Sequence, residues 1–386
     1  MKKYPFLFSE GKIGSVTVKN RIVMPPMGTL LCGSGGEMTD HLTAYYSERA
    51  AGGTGLIITE IIAVEYQSGK ALVNQLRLDD DRFIAGFSRL TGAVKKYGTK
   101  IFAQLHHAGN QAFHSSTDGK QIVAPGNITS KAIGIEPRAL STEEVKDLTG
   151  KFILAAVRAQ AAGFDGVELH GAHGYLIDQF MSPYSNHRQD EYGENRLRFV
   201  TEIMEGIKKQ CGWDYPLIIR FSADEFIPGG IDIKEGKRIA AALVAAGADA
   251  LDVSSGTYES MPTVIEPYMY KEGWRSYLAH EIKKGVTIPV IAVGAIKRPQ
   301  KAEEILRQNE ADFIAVGRAH LCDSKWAEKS RLGNDDSIIT CIGCMHCIDS
   351  IFSMRKIECA VNARTGRELE VPDFKREGAG RVVAVI

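Results

Sequence analysis

Short, nearly continuous apolar runs recur along this chain, each followed by a stretch with helical periodicity. The runs are RIVM at 21–24, GLIIT at 55–59, IFAQL at 101–105, GVELH at 166–170, LIIRF at 217–221, ALDVS at 250–254, PVIAV at 289–293 and DFIAVG at 312–317. Unbroken apolar character over so few residues marks strands buried on both faces, as in a parallel sheet. The intervening helices have readable ends. Residues 141–163 open with Ser141 and Glu144 at capping-box spacing and close on Gly163. Residues 232–248 read the same way, and 298–311 carries Pro299 near its start. Strands alternating with helices imply parallel pairing through right-handed crossovers, and eight strands are the number that closes a barrel. The pattern predicts an α/β protein built as a (β/α)8 TIM barrel. A doubly wound open sheet shows the same alternation and is the alternative.

Three stretches fall outside that rhythm. KIGSVTVKN at 12–20 alternates apolar and polar positions and reads as a hairpin capping the bottom of the barrel. The segment at 106–140, after the third strand, is long and rich in Gly, Ser, Pro and Asn, where barrel enzymes place substrate recognition. After about residue 335 the composition changes, because the cysteines begin there. The last residues, GAGRVVAVI, read as the first strand of a dinucleotide-binding fold whose glycine fingerprint lies beyond the sequence. The expected organisation is therefore a barrel at 1–335, an iron–sulfur segment at 336–375, and at 376–386 the truncated start of a Rossmann-like module.

Composition narrows the class. The 386 residues include 47 Lys plus Arg and 47 Asp plus Glu, a formal charge of zero. Nothing in that balance calls for a nucleic-acid or membrane-surface partner. No stretch is long and apolar enough to span a bilayer, and MKKYPFLFSEGKIG lacks the apolar centre of a secretory signal. Four of the seven cysteines fall between Cys341 and Cys359, while Cys32, Cys211 and Cys322 are scattered. One metal site in a reducing, cytoplasmic compartment fits this better than a disulfide framework. Oligomeric state is not legible, and a homo-oligomer is compatible with the sequence.

The strongest chemical signal is CIGCMHC at 341–347, followed by Cys359. Three thiolates at C-x2-C-x2-C spacing suit three corners of a cubane, with a fourth from farther along. Structural zinc sites more often use two C-x2-C pairs, and zinc is the alternative. The second signal is HGAHGYLIDQFMSP at 170–183. His170 ends the fourth strand, at the barrel face that carries chemistry. His170 and His173, three apart on a strand-end turn, can converge on one oxygen atom, with Tyr175 to donate a proton nearby. The alternative is two surface histidines and a packing tyrosine, and a metal on the pair finds no carboxylate at ligand spacing. The third signal is a phosphate site. Strands seven and eight end at Gly294 and at Gly317–Arg318, where barrel enzymes commonly bind phosphate. Gln104 and Arg220 end the third and fifth strands and point toward the same face. Buried polar groups there need partners, which a flavin ring offers.

At these residues the chain resembles the old yellow enzyme family of flavoproteins. The likeness runs from KNRIVMPPM at 19–27 through AQLHHAG, PRALSTEEV and GFDGVELHGAHGYLIDQFMSPYSNHRQDEYG to AVGRA, essentially the whole barrel. The cysteine run and the VVAVI ending resemble the larger subgroup that contains 2,4-dienoyl-CoA reductase, 2-enoate reductases and trimethylamine dehydrogenase. The resemblance implies an FMN-holding barrel, a 4Fe–4S segment, and then a module binding FAD and NAD(P)H. It implies that Pro25, Pro26, Met27, Gly28 and Ile61 line the FMN ring, and that Gln104 and Arg220 bond its polar edge. Gly294, Gly317 and Arg318 would hold its phosphate. Cys341, Cys344, Cys347 and Cys359 would ligate the cluster. His170 and His173 would grip a substrate carbonyl, with Tyr175 as proton donor. Two departures stand out. The family's YGGSLENR is YGENR at 192–196 here, and the position of a flavin-linking cysteine in trimethylamine dehydrogenase is Gly28, implying non-covalent FMN.

The implied reaction is reduction of the C=C bond of an α,β-unsaturated carbonyl compound, an enoate, enone or enoyl-CoA. Electrons from NAD(P)H would pass through FAD and the cluster to FMN. The alternatives are an amine dehydrogenase and an electron-transfer flavoprotein with no organic substrate of its own. The partner expected is a small molecule. The segment at 257–274, together with 106–140, is expected to set its size.

Overall fold

The computed structural model describes residues 3–117 and 119–371. The dinucleotide-fold strand expected at 376–386 lies outside the described residues. All eight expected strands form. They are β1 (Ile22–Met24), β2 (Leu56–Ala63), β3 (Lys100–His106), β4 (Gly166–Gly171), β5 (Leu217–Ser222), β6 (Ala250–Ser254), β7 (Val290–Val293) and β8 (Phe313–Ala315). Each pairs in parallel with the next, and β8 pairs back onto β1, so the sheet closes. The open-sheet alternative is thereby excluded. The outer ring consists of α1 (Asp40–Ala51), α2 (Ile84–Lys95), α3 (Thr142–Ala161), α4 (Arg198–Cys211), α5 (Ile233–Ala245), α6 (Ser276–Lys283), α7 (Pro299–Arg307) and α8 (Trp326–Leu332).

The ends follow local chemistry. Ser141 and Glu144 form the full capping box at the start of α3, and Asp232 accepts from Glu235 N at the start of α5. Pro299 opens α7, where its missing N–H costs nothing. The second strand runs four residues past the expected Thr59, to Ala63. A register shift between Ile58 and Ile61 absorbs Thr59 and Glu60, which in the sequence look like a strand end.

Two apolar layers hold the barrel. Inside, Val23, Leu56, Ile58, Phe102, Ile218, Ala250, Ile291 and Phe313 fill the lower half, and Ile13 and Val18 of the N-terminal hairpin plug the bottom. Outside, a continuous cluster joins the strands to the helices. The upper interior layer is polar instead: Gln104, Glu168, Arg220 and Asp252 are all buried. That contrast places the site at the C-terminal ends of the strands. The cysteine segment packs on the same side, and its Cys347 and Ile357 belong to the barrel's outer cluster. No helix among the described residues is long and apolar enough to cross a membrane.

Candidate active site

Four neighbouring strands supply the floor. Gln104 Nε2 donates to Glu168 Oε1 at 2.8 Å, and the Arg220 guanidinium lies 3.6 Å from Asp252. Burial pushes both carboxyl pKa values up, and for Glu168 the nearby Asp252 adds to it. Gln104 Oε1 and Arg220 Nε have no hydrogen-bond partner among the described residues. A buried acceptor and a buried donor left open side by side are costly unless something else engages them. The polar edge of a flavin ring carries the complementary donors and acceptors, so these residues fit it.

The wall above the floor is the turn that follows β4. His173 adopts φ 65 and Gly174 φ 76, a left-handed pair that reverses the chain within two residues. The Asp178 carboxylate accepts from Gly174 N at 2.7 Å, and the Ser222 hydroxyl accepts from His173 N at 3.0 Å. Gln179 donates to Gly174 O at 2.5 Å and to Asn110 Oδ1 at 2.8 Å, tying the turn to the 106–140 loop. The turn brings the His170 and His173 rings to 5.0 Å between centroids, and the His170 and Tyr175 rings to 4.8 Å.

Electrostatics fixes the protonation of this trio. Burial holds His170 and His173 well below the ordinary histidine range; next come the neighbouring His173 for His170 and Arg220 for His173. Both imidazoles are therefore neutral, with one N–H each. His170 Nδ1 accepts from Ala172 N at 3.4 Å, which leaves its proton on Nε2. His173 Nε2 meets the Ser254 hydroxyl at 2.7 Å. Burial raises the Tyr175 pKa, and the hydrogen bond to Tyr258 acts against that rise.

One cavity takes in all thirteen non-cysteine residues singled out in the sequence: Pro25, Pro26, Met27, Gly28, Ile61, Gln104, His170, His173, Tyr175, Arg220, Gly294, Gly317 and Arg318. At its far end Gly294 has φ +133, and a Cβ there would stand 2.4 Å from Arg275 Nε. Arg318 Nη2 lies 3.1 Å from one Glu266 carboxylate oxygen and Arg275 Nε 3.2 Å from the other. Two guanidinium groups thus bracket one anionic group beside two strand-end glycines. That donor set suits a phosphate.

The cysteines gather separately. Cys341, Cys344, Cys347 and Cys359 line a second, small cavity, and Cys322 joins them. Its Sγ lies 3.6 Å from that of Cys359, so Cys322 is scattered only in sequence. No set of three or more His, Cys, Asp or Glu side chains among the described residues is placed to hold a metal ion. A cubane makes a different demand, since each thiolate goes to its own iron. The two cavities share Arg318, Leu321 and Cys341 as a common wall.

Sequence reasoning missed Tyr258, Glu266, Arg275, Ser254 and Cys322. Tyr258, Glu266 and the region before Arg275 lie in the 257–274 stretch, singled out only for substrate size. Ser254 reads simply as the end of an apolar strand.

Residues 6–336 match the NADH:flavin oxidoreductase / NADH oxidase family. The chain belongs to this family of FMN-dependent oxidoreductases. It is 49% identical over 391 residues to an NADH oxidase of Thermoanaerobacter brockii, covering 100% of this chain and 60% of that one. It is 39% identical over 383 residues to a metal reductase of Desulforamulus reducens (98% and 57%). It is 37% identical over 407 residues to a cinnamate reductase of Clostridium sporogenes (99% and 61%). Among solved structures, a 2-naphthoyl-CoA reductase superposes with TM-score 0.91 at 29% identity, over 95% of this chain and 58% of that one. Histamine dehydrogenase of a Rhizobium species gives 0.85 at 31%, over 95% and 53%. The chain thus spans about three fifths of the length of the curated relatives named here.

Proposed function

We propose that this chain is the FMN-holding barrel of an ene-reductase that reduces the C=C bond of an α,β-unsaturated carbonyl compound. The observation that carries the reading is the convergence of two neutral imidazoles and a tyrosine on one turn, in the cavity that also holds the flavin-type residues. Gln104 and Arg220 would bond the polar edge of FMN, Pro25, Pro26, Met27, Gly28 and Ile61 would line its ring, and Gly294, Gly317, Arg318 and Arg275 would hold its phosphate. Bound FMN supplies the hydride chemistry.

The chain's own residues do the rest. His170, with its proton on Nε2, donates to the substrate carbonyl oxygen. His173, oriented by Ser254, donates alongside it. Two preorganised donors on one wall of the cavity stabilise the charge that develops on that oxygen. Tyr175 keeps its proton at neutral pH and delivers it to the substrate carbon next to the carbonyl. The names of two relatives, a cinnamate reductase and a 2-naphthoyl-CoA reductase, are in keeping with a conjugated acyl substrate.

Cys341, Cys344, Cys347 and Cys359 would carry a 4Fe–4S cluster, which supplies one-electron transfer when bound. The domain division at about 335, the FAD- and NAD(P)H-binding module beyond it and a cytoplasmic location belong to the same proposal. Amine oxidation, suggested by the likeness to histamine dehydrogenase, is disfavoured by the histidine pair, because an alkylamine has no carbonyl oxygen to receive their protons. The test is anaerobic mixing of flavin-reduced protein with an enone. Enone-dependent reoxidation that Tyr175→Phe abolishes is expected. Reoxidation by an amine-derived imine or by oxygen alone would point elsewhere.

A further inference from the structure

We infer that the short helix α9 (His346–Phe352) of the cysteine segment forms the specificity wall of the catalytic cavity and selects an aryl group on the substrate alkene. The inference rests on the ene-reductase reading above and adds the substrate class. Ile351 and Phe352 line the same cavity as His170, His173 and Tyr175, although they lie some 180 residues away in sequence. The placement is specific. A Cβ at Gly28 would stand 3.1 Å from Leu72 Cδ1 and 3.9 Å from Ile351 Cγ2, so these two side chains close over the bare backbone at Gly28. The Phe352 ring lies 6.0 Å from the Tyr258 ring at 73°, and Tyr258 lies 5.7 Å from Tyr175 at 68°. Three rings thus run edge to face from the proton donor outward along one side of the cavity.

Polarity divides the cavity into two ends. Arg275, Glu266 and Arg318 gather at Gly294, with the residues assigned to the FMN phosphate. Leu72, Tyr258, Ile351 and Phe352 offer one polar atom between them, the Tyr258 hydroxyl, and Tyr175 already engages it. A substrate held by its carbonyl at the two histidines turns its far end toward this second group. A charged or hydroxylated tail would lose its hydration there without gaining a partner. A flat ring would gain edge-to-face contacts with Tyr258 and Phe352 and bury the apolar surface of Leu72 and Ile351. Phe352 is 39% exposed and Ile351 half-buried, so both have surface left to cover. Cys347 lies in the first turn of the same helix, so the segment that carries the cysteines also shapes the substrate.

The test uses the 386-residue protein with FMN bound, as wild type, Ile351→Ala, Phe352→Ala and Phe352→Leu. Phe352 is at the surface and its replacement leaves the core intact; the flavin spectrum reports on folding in every variant. Binding of two saturated ketones, 4-phenylbutan-2-one and pentan-2-one, is read from the perturbed spectrum of oxidised flavin. Anaerobic reoxidation of reduced flavin is then timed with 4-phenylbut-3-en-2-one and pent-3-en-2-one. The wild type is expected to favour the phenyl compounds by about tenfold or more in both measurements. Phe352→Ala and Ile351→Ala should each cut that preference to a few fold, with Phe352→Leu between. An alkyl preference in the wild type, or a phenyl preference unmoved in both alanine variants, overturns the wall and leaves the ene-reductase reading standing. If neither enone reoxidises wild-type flavin, the ene-reductase reading falls and the wall falls with it.

Discussion

The hydroxyls of Tyr175 and Tyr258 lie 2.7 Å apart, the first from the turn after β4 and the second from the loop after β6. Tyr175 is buried, and Tyr258 reaches toward the outer part of the cavity. The bond moderates the rise that burial imposes on Tyr175, and under the proposed function it would also resupply the proton that Tyr175 gives up. Replacing Tyr175 by Phe should slow alkene reduction by roughly 10²–10⁴-fold with flavin content unchanged, the usual worth of a general acid. Tyr258→Phe should cost less, about tenfold, and move the alkaline limb of the rate–pH profile upward, because Tyr175 then holds its proton more tightly. Rate–pH profiles of both variants check this. An alkaline limb that stays put in Tyr258→Phe would remove Tyr258 from the proton path.

At the other end of the cavity, Arg318 and Arg275 share Glu266 between them. If this is the phosphate end, Arg318→Ala should weaken FMN retention by roughly 10–100-fold, the worth of a charge-assisted hydrogen bond. Riboflavin, which lacks the phosphate, should bind wild type and variant alike. Flavin fluorescence on dilution measures both. An equal loss for the two flavins would place the phosphate elsewhere.

The five gathered cysteines make separate predictions. Serine at Cys341, Cys344, Cys347 or Cys359 should lower iron and acid-labile sulfide from about four each per chain, the content of one cubane. Cys322→Ser should keep the full content, because the three CIGCMHC thiols and Cys359 already supply the four corners of a cubane. Chelation should remove iron and leave FMN in place. Loss of iron in Cys322→Ser would make it a ligand.

Glu60 predicts a pH effect on stability. Its carboxyl is buried and bonded to Thr29 and Tyr46, with no cation paired to it among the described residues, and burial raises its pKa from 4.5 to about 7. The folded protein therefore holds this proton more tightly than the unfolded chain. The stabilisation is fully present below about pH 4.5 and is lost as pH rises through 7. Glu60→Gln removes that dependence. Urea unfolding at a series of pH values should show wild type losing up to about 3 kcal/mol more than the variant between pH 4.5 and 8. Parallel curves would contradict it.

Much of this was legible in the sequence because its causes are local. Eight apolar runs specify eight strands, and HGAHGY and the strand-end glycines announce chemistry by residue type and position. Other parts come from distant segments meeting. Cys322 reads as an isolated thiol until the short helix after β8 (Arg318–Cys322) lays it beside Cys359. Arg275 and Glu266 look like surface charges of a long loop, and only folding buries them behind Gly294. The extension of β2 past Thr59 depends on a bulge that no pattern of period two contains. Ile351 and Phe352 carry no signal in the sequence and reach the cavity only through where the cysteine segment docks.

Ene-reduction is tested by anaerobic mixing of photoreduced, FMN-loaded protein with an α,β-unsaturated ketone, followed at the flavin absorbance. The oxidised spectrum should return together with one saturated ketone formed per flavin, and both should be lost in Tyr175→Phe. A flavin that stays reduced in the presence of the enone, or that reoxidises without consuming the alkene, would contradict it.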